Sequence, residues 1–433
     1  MSKLLIKNGR YINPKNNVND LLDVFIEDGK IKEVKKDLNY TNVEIIDATN
    51  CWVCPGLIDI HSHLRDPGNP EKETIATGTR SASAGGFTSV CAMANTNPTI
   101  DCAALVEYVT RVNKETGIIN VFQIGSVSKG LKGEELSPMA ELKASGAIAF
   151  SDDGKPVENL SLLRKALEYA KMLDMNIISH AETSSLCGCG AVNEGEWSLK
   201  LGIPGIPSAS ESVCVARELE VVRLTKGKLH FAHLSTKRGT ELVRAARKEG
   251  LNVTAEVTPH HLVLTDEAIQ HFDTNAKMNP PLRTQEDIDE LISGVLDGTI
   301  EVFATDHAPH SYEEKSRSMV EAPFGIIGFE TALPIYLEVF YHSKRLNEIL
   351  FIEKLTTNPA RILNIPRGSI SIGEVADITI IDPNYEWTYD VNKSKSKSRN
   401  SPFHDKKLKG KSLYTIVNGK VVFNSKQDLS LVS

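Results

Sequence analysis

The sequence predicts an α/β protein, a (β/α)8 barrel with a small β-sandwich domain built from both chain termini. Near-continuous apolar strands alternate with helical patterns through the middle of the chain. Short alternating strands broken by Asn-Gly and Asp-Gly pairs fill both ends. The length of 433 residues exceeds what one hydrophobic core usually holds. At the N-terminus the runs are LLIKNGRYI at 4–12, DVFIEDGKIKEV at 23–34 and VEIIDA at 43–48. Asn-Gly and Asp-Gly supply the positive φ of tight hairpins. The pattern returns in ADITIID at 376–382 and YTIVNGKVVF at 414–423. Each group is too small to close a core alone, so 1–54 plus 367–433 are expected to pair into one sandwich.

The barrel is expected over 55–366. LIDIHSH (57–63) is its first strand, followed by a helix over 73–84 that Gly85 and Gly86 stop. FTSVCAM (87–93) and SGAIAF (145–150) are strands, then a helix over 160–175 and the strand NIISHA (176–181). A helix over 210–224 leads to KLHFAHLS (228–235), and one over 239–248 leads to NVTAEV (252–257). A helix over 286–296 and TIEVFATD (299–306) complete the series. Strands this apolar are covered on both faces, as in parallel sheets, and about eight such units fit a TIM barrel better than an open sheet.

Composition narrows the function. A hydrophobic fraction of 41% and a charged fraction of 24% describe a globular chain. Forty-nine Lys and Arg against 56 Asp and Glu give a net charge of -7, which disfavours nucleic-acid or anionic-membrane binding. No window of roughly 18 apolar residues and no signal-type N-terminus is present, and seven Cys are an odd, sparse set. A soluble, cytoplasmic protein is expected. The segment 392–411, containing KSKSKSR, is read as a solvated loop, since it has no aromatic interleaving.

Placement of the histidines carries the chemistry. His61 and His63 stand at i and i+2 on the first barrel strand, so the pleat points both to one face. Asp153, His180, His233 and Asp306 follow the ends of later strands. In a barrel these C-terminal ends converge on the active site. Imidazole and carboxylate are ligands for borderline divalent ions, and no convergent Cys set points to a thiolate site. One polar residue at a strand end needs no metal; six facing one low-dielectric centre need a cation.

Longer motifs then resemble a known family. PGLIDIHSHLRDPG (55–68), GTRSASAGGFTSV (78–90), AFSDDG (149–154), VTAEVTPHHLVLT (253–265), NPPLRT (279–284), ATDHAPH (304–310) and APFGIIGFET (322–331) are similar to the bacterial dihydroorotase branch of the cyclic amidohydrolases. The resemblance covers almost the whole chain in order. It implies a zinc centre, two Zn2+ per subunit with a single tightly held ion as the alternative, held by His61, His63, Asp153, His180, His233 and Asp306, with Asp153 as the bridge. It implies Asp306 as the catalytic proton carrier, and Arg65, Asn95, Asn279 and His310 as substrate contacts. The reaction implied is reversible hydrolysis of (S)-dihydroorotate to N-carbamoyl-L-aspartate in pyrimidine synthesis. Arg65 suits the free carboxylate of that substrate. Allantoinase and dihydropyrimidinase are the alternatives. Their relatives use a carboxylated Lys as the bridge, and residues 146–150 offer no Lys.

Two positions depart from the family pattern. Met93, Ala94, Asn95 and Thr96 stand where Met-Pro-Asn-Thr is usual, and Thr183 replaces the acid of His-Ala-Glu-Asp. The segment 311–328 follows the Asp306 strand, where either a lid or a fixed buttress of the rim is expected. Cys51 and Cys54 are read as buried structural thiols, Cys187 and Cys189 as loop cysteines without metal, and His260 and His261 as packing or supporting residues. Some members of the family associate with aspartate transcarbamoylase, so that partner is one expectation and a homodimer another, with the oligomeric state left open by the sequence; a mainly scaffolding role is the alternative from a different class.

Overall fold

The computed structural model describes residues 3–428. The N-terminal strands divide between two sheets. Lys3–Lys7 pairs antiparallel with Asp23–Glu27 and parallel with Glu44–Asp47. Arg10–Asn13 pairs with Val18–Leu21 and Trp52–Pro55. Asn8-Gly9, expected as a hairpin turn, therefore passes the chain from one sheet to the other. Gly is required there because a Cβ would overlap the Val53 side chain. Asp28-Gly29 and Asn418-Gly419 do close hairpins, with φ of 51° and 76° and of 49° and 74°, the two positive values a tight hairpin needs.

Strands from the other chain end complete the second sheet. Ile378–Thr388 lies antiparallel to Trp52–Pro55, with Ile378 opposite Pro55 and Ile381 opposite Trp52, and Lys407–Val417 and Lys420–Asn424 extend the sheet beyond it. Leu4, Ile6, Val24 and Ile26 of the first sheet share one buried cluster with Val53, Ile378, Ile380 and Ile416 of the second.

Between the termini run eight parallel strands of two larger sheets, β1 (Leu57–Ser62), β2 (Phe87–Ala92), β3 (Asn120–Gln123), β4 (Ala149–Ser151), β5 (Asn176–Ser179), β6 (Leu229–Phe231), β7 (Val253–Val257) and β8 (Val302–Phe303), besides a short separate pair, Val192–Asn193 with Gly205–Ile206, in the connection from β5 to β6. They pair in the orders β1-β2-β3 and β4-β5-β6-β7-β8. Single parallel bridges, Gly125 to Phe150 and Ser62 to His307, join these two sheets at both edges. Every residue of β1 and β2 is buried, as strands covered on both faces must be. Helices Ile75–Ala84, Leu160–Met172, Ala209–Thr225, Lys237–Lys248 and Gln285–Leu296 fall within a few residues of the predicted spans. Helix Ala103–Thr116 and β3 were not anticipated. NVFQ is only four residues long and partly exposed along most of its length, so it lacks the apolar run that marks its neighbours.

The 392–411 segment is not the solvated loop its charge suggested. Ser394, Ser396, Ser398 and Asn400 are buried while Lys397 and Arg399 between them are exposed. This period of two is that of an extended chain lying on a surface. Ser394 Oγ and the Lys395 N–H both donate to Glu330 Oε1 at 2.7 Å, and Ser396 Oγ donates to Glu73. The serines thus serve buried carboxylates, and the basic side chains face outward.

Candidate active site

His61 sits in β1, and His63 follows it by one residue past the strand end; Asp153, His180, His233 and Asp306 lie two to three residues or fewer past the ends of β4, β5, β6 and β8. All six side chains are buried. Asp153 stands among four imidazoles. Its Oδ1 is 3.4 Å from His61 Nε2, 3.7 Å from His180 Nδ1 and 3.7 Å from His233 Nε2, and its Oδ2 is 3.5 Å from His63 Nε2. Asp306 Oδ1 is 3.1 Å from His63 Nε2 and 3.5 Å from His61 Nε2. Three overlapping triads have ligand atoms within 4.8 Å of one another: His61, His63 and Asp153; Asp153, His180 and His233; His61, His233 and Asp306. His61 Nε2 and Asp153 Oδ1 are buried without a hydrogen-bond partner. Orphaned atoms of this kind are costly unless something cationic joins them, so the donor set fits divalent metal.

The electrostatics agree. Burial opposes charging His61, but Asp306, Glu256 and Asp153 outweigh it and raise the imidazole well above its ordinary pKa. Burial would likewise raise Asp153, yet His61, His233 and His63 hold that carboxyl well below the usual range. Asp152, the first acid of the pair, faces away. Its Oδ1 accepts the Val127 and Ser128 N–H groups at 2.8 and 3.0 Å. Three residues of the site, Arg65, His233 and Asp306, have φ of 57°, 31° and 45°. Non-glycine residues are uncommon in this region, and such strain concentrates at functional sites.

The remaining expected residues line the same opening. Arg65 leans on the segment after Asp306, donating from Nε to Pro309 O at 3.2 Å, with Nη2 3.3 Å from His310 Nε2. Asn279 Nδ2 is 3.3 Å from His180 Nε2 and donates to Glu182 at 2.9 Å, while its Oδ1 is buried and unpartnered. Asn95 reaches the ligands themselves: its Oδ1 is 2.9 Å from His63 Nδ1 and its Nδ2 donates to Asp153 Oδ2 at 3.1 Å. The Met-Ala-Asn-Thr turn therefore still delivers the Asn. His260 and His261 begin a short helical turn, so the alternation expected of a strand does not apply. Thr258 Oγ1 contacts both rings, at 2.9 and 2.7 Å, and His261 Nε2 meets Pro280 O at 2.9 Å. Cys51 and Cys54 are buried and unpaired, and burial pushes the Cys51 thiol up to about 11.

Several supporting residues escaped the sequence reading. Glu256 of β7 holds His61 Nδ1 at 2.6 Å and His230 Nε2 at 3.0 Å. A carboxylate behind a ligand histidine fixes its tautomer and orientation. The available signal was a lone acid within the apolar run VTAEV. Glu73 lies 3.3 Å from His307 Nε2, and no spacing in the sequence links those two.

Comparison with known proteins adds a lineage. A family model described as Dihydro-orotase-like matches residues 51–239. The dihydroorotase of Acetivibrio thermocellus is 50% identical over 423 residues, covering 98% of this chain and 99% of that protein. The dihydroorotase of Geobacter metallireducens is 48% identical, covering 97% and 99%. Among solved structures, the dihydropyrimidinase of Brevibacillus agri superposes with a TM-score of 0.85 at 23% identity, over 98% of this chain and 95% of that one. The L-hydantoinase of Arthrobacter aurescens gives 0.86 at 22%, over 98% and 96%.

Proposed function

The chain belongs to the dihydroorotase family, and from that premise we propose roles for the residues gathered at its centre. It is a cyclic-amide hydrolase that opens dihydroorotate to N-carbamoyl-L-aspartate, and closes the ring in the reverse direction during pyrimidine synthesis. We read β1 to β8 as a (β/α)8 barrel spanning 55–366, on the strength of the two bridges that join the sheet edges. The pairing of Trp52–Pro55 with Ile378–Thr388 supports a separate sandwich from 1–54 plus 367–433.

His61 and His63 would hold one divalent ion and His180 and His233 a second, with Asp153 shared and Asp306 beside the first pair. Zinc, two per subunit, suits this imidazole and carboxylate set. Such ions, when bound, polarise an amide carbonyl and bring the pKa of water to about 7. The protein's own groups do the rest. Arg65 pairs with the substrate carboxylate through its planar fork, flanked by His310. Asn279 offers the free Oδ1, and Asn95 keeps His63 and Asp153 in register. Asp306 takes the proton released as the water oxygen bonds to the carbonyl carbon, then delivers it to the ring nitrogen as the C–N bond breaks. Ring closure uses the same carboxyl to supply that proton in the opposite sense.

The observation that carries this reading is Asp153 between two histidine pairs, at 3.4 to 3.7 Å from all four. Elemental analysis of freshly purified protein, paired with ring-opening and ring-closing assays, tests it. Two zinc per chain and turnover in both directions are expected. Metal-replete protein that prefers an uncharged ring such as dihydrouracil would overturn the carboxylate role of Arg65. Seven unpaired thiols support a cytoplasmic setting. Sizing and copurification would test a homodimer and an association with aspartate transcarbamoylase.

A further inference from the structure

Asn400 lies at the end of the buried-serine strap, is 3% exposed, and directs its side-chain amide and its backbone carbonyl at the rim of the site. Its Oδ1 accepts the His310 N–H at 3.1 Å. Its Nδ2 donates to Ala308 O and Gly325 O, both at 3.0 Å. Its backbone carbonyl accepts the Ile327 N–H at 2.9 Å. The segments it joins, 307–310 and 325–327, share one parallel bridge, His307 to Ile326, and the Ala308 N–H to Ile326 O bond. Pro309 has no N–H, so a regular ladder cannot continue past it. The Asn amide, chemically a peptide group, supplies the next rung. Its polarity fits one way only, with the NH2 toward two carbonyls and the oxygen toward an N–H.

What this rung fixes is the wall on which Arg65 rests, since Pro309 O and His310 Nε2 are the two groups that hold the guanidinium. The other end of the strap grips the same wall. Ser396 bonds Glu73, Glu73 lies 3.3 Å from His307 Nε2, and His307 Nδ1 accepts the Gly328 N–H at 3.2 Å.

We propose that Asn400 is a positioning residue for recognition of the substrate carboxylate, setting the place of Arg65 and His310 from a strap contributed by the C-terminal part of the chain. The inference rests on the role of Arg65 given above, so the test separates the two. Asn400→Ala, Asn400→Asp, Ser398→Ala and Arg65→Lys are purified as full-length holoenzymes. KM and kcat for dihydroorotate and N-carbamoyl-aspartate, metal content and melting temperature are then measured. Both Asn400 variants should raise KM about tenfold with kcat and metal content near parental. Asn400→Asp keeps the shape but sets a carboxylate against two carbonyls, so its effect should be at least as large. It also carries the test should Asn400→Ala fail to fold. Ser398 lies on the same strap and its hydroxyl donates to Lys72 O at 2.7 Å, away from Pro309 and His310, so its variant should share any loss of stability without the KM rise. If Arg65→Lys raises KM while the Asn400 variants stay within about twofold of parental, or lose kcat and melting temperature alone, Asn400 is merely structural and the proposal is overturned. If Arg65→Lys leaves KM unchanged, the reading of Arg65 falls first and this one with it.

Discussion

Asp306 is both a ligand candidate and the group facing the reacting atoms, and its backbone is fixed for that purpose by a 3.0 Å bond from its N–H to His61 O. As a ligand only, it would tolerate Asn, whose oxygen also binds metal, with activity falling in proportion to occupancy. As a proton carrier it would not, because an amide has no useful basicity. Asp306→Asn is therefore expected to lose activity by roughly 10² to 10⁴ even after excess zinc restores full occupancy. A fully loaded variant keeping a tenth of parental turnover in both directions would leave Asp306 as a ligand alone. The six clustered histidines and aspartates were legible as a group because each is a polar side chain closing an apolar strand, and such exceptions stand out. Glu256, His307 and Asn400 were not, since their significance lies in what they face across 195, 234 and 90 positions of sequence.

Two buried lysines tie the segment 311–328 to the rim. Lys277 Nζ donates to Met319 O and Val320 O at 2.7 and 3.0 Å, and Lys315 Nζ to Pro323 O and Gly325 O at 3.0 and 3.1 Å. Position after a catalytic strand suggested a lid as readily as a wall; the sequence has no mark for which carbonyls an ammonium will reach. Lys315→Met tests the clamp. Gly325 O keeps the Asn400 donor, so Pro323 O is the carbonyl left without its donor, and the expected cost is about 1 to 3 kcal/mol with faster proteolysis inside the segment. The pH dependence has a definite sign. Burial, aided by the neighbouring Lys277 charge, pushes Lys315 from 10.5 down to about 7. Between those values the unfolded chain binds more protons, so parental stability rises with pH across that window, and the variant should lose this share of the slope. An unfolding free energy that changes by the same amount between pH 7 and pH 9 in parent and variant, read by denaturant titration, would show that Lys315 is not titrating there. Elements with long apolar runs were placed well by sequence, whereas the four-residue β3 and the sheet exchange at Asn8-Gly9 depend on partners far along the chain.

Across the whole molecule, the two end groups of strands were read as partners because neither could close a core alone, and Ile378–Thr388 beside Trp52–Pro55 is that pairing. The order of strands within those sheets was not readable, since alternation fixes which face is buried and not which neighbour bonds. The proposed ligand set has a consequence at this scale. His61 and His63 come from the β1-β2-β3 sheet, whereas Asp153, His180, His233 and Asp306 follow strands of the β4 to β8 sheet. Those sheets meet edge to edge through one parallel bridge on each side, Gly125 to Phe150 and Ser62 to His307, with a few further bonds such as Asp306 N–H to His61 O and Thr305 to Asp59. Bound metal would therefore link both sheets at the rim, and its removal should be felt in global stability as well as in catalysis. A ligand held at about a thousand times its dissociation constant stabilises the native state by about 4 kcal/mol. Chelation followed by desalting should thus lower the melting temperature by roughly 5 °C or more, and added zinc should restore it. The stripped protein should remain folded at ambient temperature, because the raised pKa of His61 lets an imidazolium offset Asp306, Glu256 and Asp153 in the absence of metal. His61→Ala combined with His180→Ala removes a ligand from each proposed position, so its melting temperature should no longer respond to chelator. A calorimetric melt that stays unchanged after elemental analysis confirms metal removal would show that the two sheets are held without the ion.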